Sequence, residues 1–266
     1  MTRTPVVLIH GAWLHMSCWE GWAKRFATHG YAVSVPGWPG EDDDVRRARR
    51  DPGPLRDLGL PELTEHYARL VRGLERPPVL IGHAVGGLIA QHLLGADLAE
   101  AAVAIAPQPP PGVPAVETRP SLASQIWGPP VGHDGVVPLP RSQFRHVVAN
   151  AVGEEEAAEL FARYAMPAPQ RLLDDPQSAL AVDTDNPARG PLLLVSGQED
   201  RLVPDAATRS VYKLYGDSPA ATDLKQFADR GHSLVADSGW PQVADHVLGW
   251  LSDNGVRATE GHRRFM

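Results

Sequence analysis

The chain has 266 residues, 43% of them hydrophobic, a formal net charge of -7 and a single cysteine. That length fits one large α/β domain, or one domain with a substantial insertion. The acidic balance argues against a nucleic-acid surface, lone Cys18 excludes an internal disulfide, and no apolar run nears the roughly 18–20 residues of a membrane span. Met1 to Thr4 lead straight into a strand-like run without a signal-peptide pattern, which together with the lone thiol predicts a cytoplasmic protein.

Val6-Val7-Leu8-Ile9-His10 followed by Gly11 reads as a buried parallel strand. Ser17 and Glu20 have capping-box spacing, and Trp19, Trp22 and Phe26 recur at helical intervals until Gly30. Tyr31 to Val35 is the next strand, ended by Pro36-Gly37-Trp38-Pro39-Gly40. The acidic run Glu41 to Asp44 and the basic run Arg46 to Arg50 read as a self-compensated exposed loop. A helix follows from Leu60-Pro61-Glu62 to about Leu70, with proline at its start. Val79 to Ile81 and Ala101 to Ile105 are strands separated by a helix ending near Leu94. This alternation predicts crossover units and a mostly parallel sheet of about six strands, with helices on both faces.

From Pro107 to about Gly190 the rhythm breaks. Prolines 107, 109, 110, 111 and 114 lead out of the sheet, and helices are predicted from Ser142 to Asn150 and from Glu154 to Tyr164. So long a stretch is too long for an unstructured loop in a compact domain. It is read as a helical cap, 107–190, inserted into a core domain of 1–106 and 191–266, over the strand ends where open α/β sheets bind ligands. The core resumes with a strand at Pro191 to Val195, a helix from Ala206 to Leu214, a strand at Leu224 to Phe227 and a helix from Trp240 to Leu251.

Chemistry concentrates in four places. Val79-Leu80-Ile81-Gly82-His83-Ala84-Val85-Gly86-Gly87 has the strand–tight turn–helix layout of a nucleophile elbow, with a methyl group at position 84 where a hydroxyl is expected. His10-Gly11-Ala12-Trp13 ends the first strand, where backbone N–H groups can face a substrate. Asp200 follows a buried strand in Gly197-Gln198-Glu199-Asp200-Arg201-Leu202-Val203-Pro204. His232 lies in a turn, Gly231-His232-Ser233. Elbow, acid and histidine come in the order of an α/β-hydrolase. No Cys/His spacing suggests a metal, and no cofactor is expected.

On these motifs the chain resembles the α/β-hydrolase superfamily, in the branch of small-ester and lactone hydrolases and plant hydroxynitrile-lyase-like esterases. The resemblance spans nearly the whole chain and is weakest in the cap. It implies that His232 is the general base and acid, that Asp200 orients it, and that Ala84 stands at the nucleophile position. It also implies an oxyanion hole from the amides of Ala12 and Val85, and hydrolysis of a small to medium hydrophobic ester or lactone. Trp13, His83, Trp127, Phe144, Phe161 and Tyr164 are the candidates for substrate binding. At least half of the cap aromatics are expected only to hold the cap together, and His83 to pack or position rather than react. The partner implied is a small-molecule substrate; a homodimer through the cap, common in resembling proteins, stays open.

Ala84 admits three accounts. In the first the parent residue is serine and this chain is an inactivated variant, with a rate lower by about 10⁴–10⁶. In the second alanine is native, and the His–Asp pair serves a non-hydrolytic acid/base enzyme such as a cyclase, isomerase or lyase. In the third the pocket is a catalytically dead binder of a small ligand.

Overall fold

The structure is a computed structural model that describes residues 2–113, 135–174, 180–216 and 218–259. β1 (Pro5–Ile9) pairs in parallel with β2 (Ala32–Ser34) on one side. On its other side lies β3 (Val79–His83), followed across the sheet by β4 (Ala101–Ile105). After the insert come β7 (Leu192–Gly197) and β8 (Thr222–Phe227), completing a six-stranded parallel sheet ordered β2-β1-β3-β4-β7-β8. The inner strands are buried on both faces, which is why they read as continuous apolar runs instead of alternating ones.

Successive strand residues point to opposite faces, and this divides the core into two layers. Val6, Leu8, Ile81 and Val103 join the cluster that holds Trp22 and Phe26 of α1 (Glu20–Thr28) and Val247 and Leu251 of α9 (Trp240–Asp253). Val7, Ile9, Leu80 and Ala102 join the other cluster, with Tyr67 of α3 (Leu60–Arg72), Leu88 and Ile89 of α4 (Val85–Gly95) and Val211 of α8 (Asp205–Leu214). Buried Trp22 keeps its indole N–H satisfied by donating to the Val235 carbonyl at 2.9 Å.

Between β4 and β7 the chain adds a two-stranded antiparallel ribbon, β5 (Val136–Val137) with β6 (Ala168–Pro169), and the helices α5 (Arg141–Val147), α6 (Glu154–Tyr164) and α7 (Gln170–Asp174). The ribbon is too short to show a period in the sequence. No helix among the described residues is long and apolar enough to cross a membrane.

Two local expectations are corrected. Ser17 does not cap α1; the His15 ring accepts the Ser17 N–H, which starts a 3-10 turn over Met16–Trp19, and α1 begins only afterwards. The basic run is not a loop but α2 (Val45–Arg50), capped by the Asp44 carboxylate accepting from the Arg46 N–H. Arg49 leaves the solvated set, because its guanidinium donates to the carbonyls of Phe161, Ala162 and Ala165 at the end of α6.

Candidate active site

The carboxyl ends of β1, β3 and β4 each lead into a residue with positive φ that is not glycine: Trp13 at 62°, Ala84 at 51° and Ala106 at 43°. Such conformations cost about 1–3 kcal/mol each and persist only where surrounding bonds hold them. Ala84, at φ 51° and ψ -115°, is well held. Its N–H donates to the Ile105 carbonyl at 3.0 Å, and its own carbonyl accepts from Gly87 at 3.0 Å, Leu88 at 3.2 Å and Gln108 at 2.9 Å. A Cβ on Gly86 would stand 2.3 Å from the Ile9 carbonyl oxygen, so α4 lies against β1 only because that position is glycine. A Cβ on Gly11 would likewise lie 2.8 Å from the Ala84 Cβ and 3.0 Å from His83 Nδ1. The elbow geometry is complete; its side chain is a methyl.

Asp200 lies three residues past β7 and His232 five past β8, and the structure brings them together. His232 Nδ1 is 2.8 Å from Asp200 Oδ2, with both side chains buried. The other carboxylate oxygen accepts the N–H groups of Leu202 and Val203, each at 2.8 Å, which fixes the acid in its turn. An Nδ1–H donated to the carboxylate leaves Nε2 with its lone pair, and buried Nε2 has no hydrogen-bond partner among the described residues.

His83 also belongs here, though not as a wall against substrate. It is fully buried, its Nε2 lies 3.0 Å from the His232 carbonyl, and its ring stands 4.4 Å from the His232 ring. A carbonyl can only accept, so His83 Nε2 carries the proton. Burial first, and the nearby His232 charge second, push His83 well below the ordinary histidine range. A neutral ring therefore supports the backbone of His232, one residue before position 84.

The remaining predicted residues divide between the elbow and the insert. Val85 directly follows Ala84 and Ala12 directly follows Gly11, which is seated against Ala84, and no hydrogen bond among the described residues is donated by either amide. Val85 opens α4, where an N–H has no intrahelical acceptor. Trp13 is buried and its indole N–H donates to the Val137 carbonyl of β5 at 3.2 Å, so it ties the first loop to the insert. Phe144 is also buried and meets Phe161 edge to face at 5.4 Å, a contact that holds α5 to α6. Tyr164 lines a separate cleft of about 720 Å³ with Cys18, Lys24, Glu159 and Trp240, none of them from the Asp200–His232 pair. Trp127 lies outside the described residues.

Sequence reasoning missed Glu41, which it placed in a solvated acidic run. The side chain is wholly buried beneath the first loop, 2.9 Å from His10 Nε2. Burial alone would raise its pKa, but the charge and hydrogen bond of His10, with the N–H groups of Met16 and Trp38, outweigh that and hold it at about 2. The only available signal was its position directly after a Pro/Gly-rich turn.

A parallel sheet with a strained strand–helix elbow, followed in chain order by a carboxylate and a histidine that meet, defines an α/β-hydrolase framework. The sequence profile of the alpha/beta hydrolase family matches residues 6–246, and the chain belongs to that family. It is 25% identical to the pyrethroid hydrolase of Sphingobium wenxiniae over 240 residues, which cover 84% of this chain and 81% of that protein. Among solved structures it is similar to tomato methylketone synthase I complexed with 2-tridecanone, at a TM-score of 0.70 and 15% identity, covering 96% of this chain and 100% of the other. It is also similar to an Arabidopsis methylesterase, at a TM-score of 0.68 and 18% identity, covering 94% and 99%. At these identities the two structural likenesses establish the fold.

Proposed function

We propose that this chain keeps the carbonyl-binding and proton-transfer half of a carboxylic-ester or lactone hydrolase while lacking its acyl-transfer half at position 84. The observation that carries this reading is the Nε2 of His232, unpartnered among the described residues, backed by Asp200 and set beside an intact elbow. A serine at 84 would supply the hydroxyl this base lacks. The amides of Ala12 and Val85 would receive the developing oxyanion, with the N-terminal dipole of α4 behind Val85. A small to medium hydrophobic ester is in keeping with the esterase-like relatives. Ala84→Ser tests this. Hydrolysis of p-nitrophenyl butyrate should rise by about 10⁴–10⁶-fold over the alanine protein, and His232→Ala in the same background should remove the gain. No gain in correctly folded protein would refute it.

A second reading has its own support in the likeness to methylketone synthase I, a protein solved with 2-tridecanone and, as a variant, with beta-ketoheptanoate. A β-keto acid needs no nucleophile. Its carboxylate leaves as carbon dioxide, and the electron pair of the breaking bond passes into an enolate whose oxygen the Ala12 and Val85 amides would hold. Protonated His232 would then return a proton to the enolate carbon, giving the methyl ketone. Under this reading the alanine protein itself releases carbon dioxide from beta-ketoheptanoate, and His232→Ala slows that release. Absence of turnover above the spontaneous rate would remove it.

A further inference from the structure

We propose that Glu41 is a positioning residue for the amide of Ala12, acting through His10 and the backbone of the first loop. The proposal rests on the reading that this amide binds a substrate oxygen. His10 meets two acceptors, the Gly11 carbonyl at Nδ1 (3.0 Å) and Glu41 Oε2 at Nε2 (2.9 Å). Both partners can only accept, so the ring donates from both nitrogens. Trp38 covers it at a centroid distance of 4.4 Å and an interplanar angle of 25°. The carboxylate also accepts from the Trp38 N–H at 2.7 Å and from the Met16 N–H at 3.0 Å.

His15 adds a second strut, its Nε2 lying 2.8 Å from the Asp42 carbonyl and 3.6 Å from Glu41 Oε1. The loop running from His10 to Met16 is thus pinned at its start, near its end and at its last residue by one carboxylate and its neighbour. Between those pins lie Gly11, seated against the elbow, then Ala12, then Trp13 in its strained conformation. A loop held in that conformation needs such anchors, because its own φ values favour relaxation. The anchoring group lies outside every motif that marks the fold, and it is charged and buried, a costly arrangement unless fully bonded.

Two measurements test this. In the Ala84→Ser background, Glu41→Gln should lower kcat for p-nitrophenyl butyrate about tenfold to a hundredfold with KM changed less than threefold, because the misplaced donor matters most in the transition state. Combining it with His10→Asn should cost little more than either change alone, since the two side chains act as a unit. An unchanged kcat in folded protein, or a rise in KM alone, would overturn the proposal.

The second measurement needs no activity and so separates failure here from failure of the hydrolase reading. In the alanine protein, Glu41→Gln should shift the amide signals of Gly11, Ala12 and Trp13. It should also speed their hydrogen exchange about tenfold or more, while Gly86 and Gly87 stay as they were. Equal disturbance of the first loop and of the start of α4, or of neither, would contradict it. Should Glu41→Gln not fold, His10→Asn in the alanine protein gives the same readout.

Discussion

At the scale of single residues, the contact between Gly11 and Ala84 limits what this site can hold. Any side chain at 11 must share space with the Ala84 methyl, 2.8 Å from where its own Cβ would fall, and with His83. Gly11→Ala is therefore expected to destabilise the protein by about 1–3 kcal/mol, as overpacking in a close-packed interior does. Thermal melts of the two proteins check this; equal midpoints would show that the loop yields freely. The same geometry explains why alanine at 84 is tolerated. The elbow is maintained by backbone bonds through Ala84 N–H and C=O, so loss of a side-chain oxygen leaves the strained turn standing. Asp200 and His232 were legible in the sequence because motif order and spacing carry that information. Glu41 was not, because an acidic residue among four looks solvated until the loop above it is folded.

At the scale of elements, the insert is joined to the core by specific polar ties instead of by packing alone. The His15 N–H donates to the Tyr164 carbonyl at 2.8 Å and the Met166 N–H to the Trp13 carbonyl at 3.2 Å, so the end of α6 runs beside the first loop. Arg49 closes that end of the helix by donating to the Ala162 carbonyl and by sharing the Phe161 carbonyl with the Ala165 N–H. Arg49→Ala should cost about 1–2 kcal/mol, given charged hydrogen bonds at a helix C-terminus. That corresponds to a melting point lower by about 2–8 °C. Lysine should recover only part of the loss, since a single ammonium cannot serve several carbonyls in a plane. A full recovery would show that charge alone matters. The strands and long helices were readable from period and punctuation; α2 was not, because six residues with one buried alanine carry too little pattern.

For the whole molecule, two buried groups give stability the same pH dependence. Glu41 is depressed to about 2 in the folded chain, so its contribution is complete above the ordinary glutamate range near 4.5 and is lost as pH falls toward 2. His83 is kept neutral when folded, so the unfolded chain takes up a proton below about 6.5 that the folded chain refuses, and stability falls there too. Thermal midpoints should therefore decline from about pH 6.5 downward. Glu41→Gln should flatten the limb between about 4.5 and 2. An unchanged acid limb in that variant would place the loss in other carboxylates.

The parallel character of the sheet followed from alternating apolar runs and helical stretches, since the inner strands are buried on both faces. The ribbon that ties β5 to β6, and the seating of the insert upon the first loop, depend on contacts between residues far apart in sequence, which no local period encodes.

The central claim is that position 84 sits where a nucleophile would face the Asp200–His232 pair. Intact-protein mass spectrometry of Ala84→Ser after treatment with a fluorophosphonate tests it most directly. The account predicts one adduct per chain, mapped to position 84, and little or none when His232→Ala is added. Labelling that is absent, lies at another residue or is indifferent to His232 would contradict it.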